Sequence, residues 1–288
     1  MIHFRCLWAT LVLAAASAHA APDPSSGERP SPNPVRASKI VLVGDSTTAV
    51  HSGWGAAFCA SHVTSALSCV NLARGGRSSY SYRAEGSWAL AVQEMRRGGY
   101  QDVHVLIQFG HNDQPGKPGR STDLAREFPD NLRRYVREVR AAGAIPVLLT
   151  PLTRRQFRDG QLLDDLAPWA EATRTVAAEM AVPLVDLHAR SRAAVQGLGP
   201  VLALRLAQAP ASPLQVSAAQ QGTTVDNPAA ANVPPVTPQT LSPPEPMAQA
   251  KTAFDYTHLG AQGAGLFAAI VADELARQVP ALRRNLLP

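Results

Sequence analysis

The 288-residue chain is poor in several things at once: it has three cysteines, four methionines and only 6% aromatic residues. No apolar stretch reaches the ~20 residues that a bilayer-spanning helix requires, so a membrane span is not expected. The turn after the first apolar run lacks G-x-G-x-x-G, and no P-loop occurs anywhere in the chain. The usual phosphate-cradling routes to nucleotide binding are therefore missing. His51, His62, His104 and His188 are scattered without ligand spacing. They read as structural residues, and neither a metal nor any other cofactor is expected. No internal repeat is visible.

What is present begins with an export signature. Arg5 is followed by an apolar run from Leu7 to Ala16 and by Ala18-His19-Ala20, a small-x-small cleavage site. Residues 1–20 are thus expected to be a secretory signal, the mature chain starting near Ala21 in a secreted or periplasmic protein. Loss of Cys6 with that segment would leave Cys59 and Cys69, an even number in an oxidising compartment and a candidate disulfide whose geometry the fold must permit. Residues 21–37, with Pro22, Pro24, Pro30, Pro32 and Pro34, read as a flexible leader. The net charge of +5 fits an anionic partner such as an acidic polysaccharide, and equally a solvated surface. Nucleic acid is not an expected partner of an exported chain.

Residues 38–288 are expected to fold as one domain. Ile40 to Val43 is a short, continuously apolar run closed by Gly44-Asp45-Ser46-Thr47, as in a buried parallel strand ending in a turn. Further strands are expected at Val70–Ala73, Val103–Phe109, Ile145–Leu149 and Val182–Val185. Helical patterns lie between and after them, at Gly53–His62, Trp88–Arg97, Leu124–Ala142, Ala167–Met180 and Ala261–Gln278. This alternation implies an α/β fold with a five-stranded parallel sheet and helices on both faces. Residues 199–250, rich in Pro, Ala and Gln, show neither period and read as a low-complexity insertion.

In such a sheet a ligand sits at the carboxyl ends of the strands. Ser46 follows the first strand, and alone would be read as a helix N-cap. Paired Gly75-Gly76 follows the second strand, letting backbone N–H groups approach a ligand, and Gly110-His111-Asn112-Asp113 follows the third. His111 and Asp113 are expected to shape the turn that aims Asn112. Asp255 and His258 are three residues apart, so one turn lets the carboxylate hold the imidazole. Together these supply a nucleophile (Ser46), a base (His258), its orienter (Asp255) and oxyanion donors (the N–H groups of Ser46 and Gly76 and the amide of Asn112). Acyl transfer requires this set.

The ordered blocks Gly44-Asp45-Ser46, Gly76, Gly110-His111-Asn112-Asp113 and Asp255-x-x-His258 resemble those of the SGNH (GDSL) hydrolase superfamily. Ala73–Ser79, Glu85–Trp88, Ile107–Gln114 and Thr150–Phe157 resemble the rhamnogalacturonan acetylesterase family within it. The resemblance implies a flavodoxin-like three-layer sandwich and the same roles for Ser46, Asp255, His258, Gly76 and Asn112. The insertion before Asp255 departs from it.

The expected function is a serine carboxylic ester hydrolase that removes acetyl groups from a polysaccharide of pectic rhamnogalacturonan type, acting as a monomer. Arg77, Arg154 and Arg155, with Arg74 and Arg158 nearby, are candidates to bind substrate carboxylates. Another SGNH activity (lysophospholipase, thioesterase or general carboxylesterase) and a non-catalytic sugar-binding module are the alternatives.

Overall fold

The computed structural model describes residues 36–225 and 253–288. The expected signal segment, most of the leader and residues 226–250 of the expected insertion lie outside the described residues.

Five strands form one parallel sheet in the order β2-β1-β3-β4-β7, from β1 (Ser38–Gly44), β2 (Leu67–Asn71), β3 (Val103–Gln108), β4 (Ile145–Leu149) and β7 (Leu184–Val185). Every residue of β1 is buried, because both faces of the sheet are covered. Ile40 and Leu42 point into one core, with Phe58, Val195, Phe267 and Val271. Val41 and Val43 point into the other, with Met95, Leu132, Val136 and Val176. The two-residue period of a strand thus explains why the sequence shows a continuous apolar run. On the first face lie α1 (Gly55–Ser61), α6 (Leu187–Ala203) and α8 (Ala261–Gln278); on the second lie α3 (Ser87–Met95), α4 (Glu127–Ala141) and α5 (Ala167–Glu179). This is the expected three-layer α/β sandwich.

Several elements were not expected. A short α2 (Ser81–Ala84) precedes α3, and β5 (Phe157–Arg158) pairs antiparallel with β6 (Gln161–Leu162). Their two-residue Asp159-Gly160 turn has φ of 50° and 76°, a hairpin signal legible in the sequence. The opening part of the stretch read as low-complexity is regular: α6 continues past a kink at Gly199 to Ala203, and α7 occupies Pro213–Gln220. A capping box of Ser212 and Gln215 starts α7, a signal hidden by the surrounding Ala and Gln. Cys59 in α1 and Cys69 in β2 are joined by a disulfide with their Cα atoms 5.4 Å apart. Among the described residues no helix is long and apolar enough to cross a membrane.

Candidate active site

Because β2 and β3 flank β1 on opposite sides, the chain leaves β1 and β3 in opposite directions and opens a crevice at their carboxyl ends. Ser46 sits there. Helix α1 begins only at Gly55, so Ser46 caps no helix; its turn is tied by the N–H groups of Thr48 and Ala49 donating to the Asp45 carbonyl. Gly44 is required for the approach of β1 to β3, since a Cβ there would lie 2.7 Å from the Gln108 carbonyl oxygen.

Ser46 Oγ lies 2.9 Å from His258 Nε2, and His258 Nδ1 lies 2.6 Å from Asp255 Oδ2. The other Asp255 oxygen accepts from the N–H groups of Thr257 at 2.7 Å and His258 at 2.6 Å. Burial alone would raise the Asp255 carboxyl. The His258 side chain and these two N–H groups outweigh burial and hold it at about 2.

Among the described residues, neither the Ser46 nor the Gly76 N–H donates to a protein acceptor. Gly76 has φ of +77°, a left-handed conformation that glycine adopts without strain. Asn112 is nearly buried, gives one amide hydrogen to the Arg77 carbonyl at 3.1 Å, and retains the second. Its neighbour Asp113 is fully buried and accepts from the Ser79 N–H, the Ser79 hydroxyl at 2.6 Å and the Thr122 hydroxyl at 3.0 Å. Among the described residues no cation pairs with it, and burial pushes its carboxyl up to about 6 against those hydrogen bonds. On the other side of Asn112, His111 lies 3.5 Å from Asp45; burial lowers its pKa, and Asp45 only partly offsets this.

The three candidate substrate-binding arginines are committed elsewhere. Arg155 is 1% exposed and donates to the carbonyls of Asp255, Thr257 and His258, so it sits beneath the His258 segment and faces no ligand. Arg154 pairs with Asp165 and donates to the Thr257 hydroxyl at 3.2 Å. Arg77 pairs with Glu85 at 2.8 Å and donates to the Gly75 carbonyl. A residue's place after a strand showed that these arginines stand at the ligand edge, but not which way their side chains turn.

Arg74 is different. Its guanidinium has no hydrogen-bond or ion-pair partner among the described residues, and it lines a cavity of about 450 Å³ with Leu72, Tyr82 and Leu90. His51, read as structural, also lines this cavity. The cavity adjoins Ser46 through Gly75, whose Cβ position would lie 3.6 Å from the Ser46 Cβ, and through Ser52, whose hydroxyl donates to the Ser46 carbonyl. Of the other histidines, His104 is buried in β3, His188 is buried 2.9 Å from Asp164, and His62 contacts the Leu287 carbonyl.

Residues 42–204 match the sequence profile of the GDSL-like lipase/acylhydrolase family. The chain is 34% identical over 164 residues to the protein named probable rhamnogalacturonan acetylesterase YesY of Bacillus subtilis (strain 168), covering 54% of this chain and 73% of that relative. It is 33% identical over 176 residues to rhamnogalacturonan acetylesterase RhgT of the same organism, covering 58% and 72%. The crystal structure of protein YxiM from Bacillus subtilis superposes with a TM-score of 0.60 at 22% identity, over 85% of this chain and 58% of that one, and shows the same fold. The profile match, the relatives and the shared fold converge: the chain belongs to the GDSL-like lipase/acylhydrolase family and is a carboxylic ester hydrolase.

Proposed function

We propose that the protein is an exported serine acetylesterase acting on an acidic, pectic-type polysaccharide such as acetylated rhamnogalacturonan. The contact that carries the reading is the unbroken relay from Asp255 through His258 to Ser46, with separations of 2.6 and 2.9 Å. In this reading Ser46 Oγ attacks the acetyl carbonyl carbon while His258 Nε2 takes the hydroxyl proton. The oxyanion is met by the N–H groups of Ser46 and Gly76 and the free amide hydrogen of Asn112. Collapse expels the sugar oxygen, which receives the proton from His258 and leaves acetyl-Ser46. Water then attacks with His258 again as base, releasing acetate and restoring the serine. Asp255, held at about 2, stays ionised throughout and stabilises the imidazolium.

The substrate reading draws on the names of the relatives and on the cavity beside Ser46. Its apolar wall suits the C–H face of a sugar ring, and Arg74, without a partner among the described residues, suits a carboxylate. The disulfide supports export, since such bonds persist in oxidising compartments. The same apolar wall favours a second reading, an ester with a longer acyl chain. Acetate release from acetylated rhamnogalacturonan, with acetylated xylan and p-nitrophenyl acetate and dodecanoate in parallel, separates the two. Fastest turnover on the pectic polymer, lost on the order of 10⁴-fold or more in Ser46→Ala, is the expected result. Preference for dodecanoate would select the second reading. Wild-type protein that binds pectin and cleaves no ester would be a binding module instead.

A further inference from the structure

We propose that Arg155 is a positioning residue for the Asp255–His258 pair, acting by gathering all four backbone carbonyls from Asp255 to His258 onto its own N–H groups. The proposal rests on the acid–base roles given to that pair above. From Asp255 to His258 the chain forms neither helix nor strand, and the nearest sheet-like contact among the described residues is the single bridge of Leu259 to Ala207, so no regular hydrogen-bond ladder fixes it. The N–H groups of Thr257 and His258 turn inward to the Asp255 carboxylate. The carbonyls of the segment then need donors of their own, because buried backbone acceptors are costly to leave unpaired.

Arg155 supplies those donors. Its backbone N–H donates to the Tyr256 carbonyl at 2.9 Å. Nη2 donates to the carbonyls of Asp255 at 3.0 Å and His258 at 2.8 Å, and Nη1 to that of Thr257 at 3.1 Å. Among the described residues no carboxylate is a hydrogen-bond partner of its side chain. Burial draws its pKa down to about 10, with the charge of Asp255 opposing, so the side chain remains a cation at neutral pH. A planar, forked guanidinium can meet several carbonyls of one turn at once, which an ammonium cannot do with the same geometry. Turning the segment would alter the Nδ1···Oδ2 and Nε2···Oγ separations together.

The test compares Arg155→Lys and Arg155→Gln with wild type on p-nitrophenyl acetate, with kcat expressed per serine labelled by a phosphonate. Low-field proton NMR of the His258 Nδ1–H and the melting temperature are followed alongside. Expected is a fall in kcat of about 100-fold for Gln and about 10-fold for Lys, with KM nearly unchanged, as for a displacement of ~1 Å in the reacting groups. The Nδ1–H resonance should lose its downfield position in variants that still melt cooperatively. In Arg155→Ala, added guanidinium should restore part of kcat. Folded variants with wild-type kcat per labelled serine and an unmoved resonance would overturn the proposal; if the Gln variant does not fold, the Lys variant decides by the same readouts. Ser46→Ala run in parallel separates the two levels, since full turnover there would remove the acid–base reading itself, whatever Arg155 does.

Discussion

Two segments flank the Asp45-Ser46 turn, the one after β3 (Gly110–Asp113), whose His111 lies 3.5 Å from Asp45, and the irregular segment Phe254–Gly260, whose His258 meets Ser46, and each carries an aspartate. Asp113 is fully buried and, among the described residues, bonded only to neutral donors, the Ser79 N–H and the hydroxyls of Ser79 and Thr122. Asp255 is partly exposed and bonded to an imidazole and two N–H groups. One carboxyl is pushed up to about 6 and the other held at about 2. The same side chain is thus made easy or hard to protonate by whether a potential cation offsets its loss of water. The segments also differ in what holds them. The first continues from a fully paired central strand, with Tyr135 and Asn131 of α4 bracing Ser79, the partner of Asp113. Among the described residues the second makes a single bridge, Leu259 to Ala207 at its end, and its carbonyls from Asp255 to His258 are held by Arg155.

The largest expected effect that tests this contrast is Asp255→Asn. It preserves shape but removes the charge that His258 needs, and should lower kcat/KM on p-nitrophenyl acetate on the order of 10³–10⁴-fold at neutral pH. A loss of only a few-fold would mean that Asp255 merely folds its segment. Asn112→Ala comes next. Deleting one of the three proposed oxyanion donors should cost about 100-fold in kcat with little change in KM. An equal rise in KM with kcat unchanged would make Asn112 a substrate contact instead.

The smallest effect concerns stability. The folded pKa of Asp113, about 6, lies above the ordinary carboxylate value, so its contribution is full below about pH 4 and fades as pH rises through 6. Asp255 has the opposite sign: its contribution is present above about pH 4 and is lost as pH falls toward 2. In Asp113→Asn, melting temperatures measured from pH 4 to 7 should shift in the variant's favour relative to wild type by a few °C. A constant difference across that range would show that Asp113 does not change its protonation there. A scan of Asp255→Asn carried down to pH 2 should show its deficit at pH 7 shrinking only as pH falls from about 4 toward 2.

Much of this was readable before any coordinates. The strand at Ile40–Val43, the later strands and the order of layers followed from apolar runs alternating with helical periods, because a buried parallel sheet admits few other patterns. The residues gathered around Ser46 were named for the same reason, since the carboxyl ends of such strands meet in one crevice. Weak local signals were the ones passed over: the Asp159-Gly160 hairpin and the Ser212–Gln215 capping box involve only a few residues each and lie in stretches without period.

Sequence by itself therefore determined the layered fold and which candidate site residues stand at one sheet edge, because periodicity and chain order decide that placement. Only the tertiary structure decided the direction of each side chain there. Arg77, Arg154, Arg155 and Arg74 have one charge and similar reach, and all follow a strand. Glu85, Asp165 and the carbonyls of Asp255, Thr257 and His258 claim the first three, while Arg74 has no such partner among the described residues. A side chain's orientation depends on which acceptors distant segments bring within hydrogen-bonding range, and no local pattern records those distances.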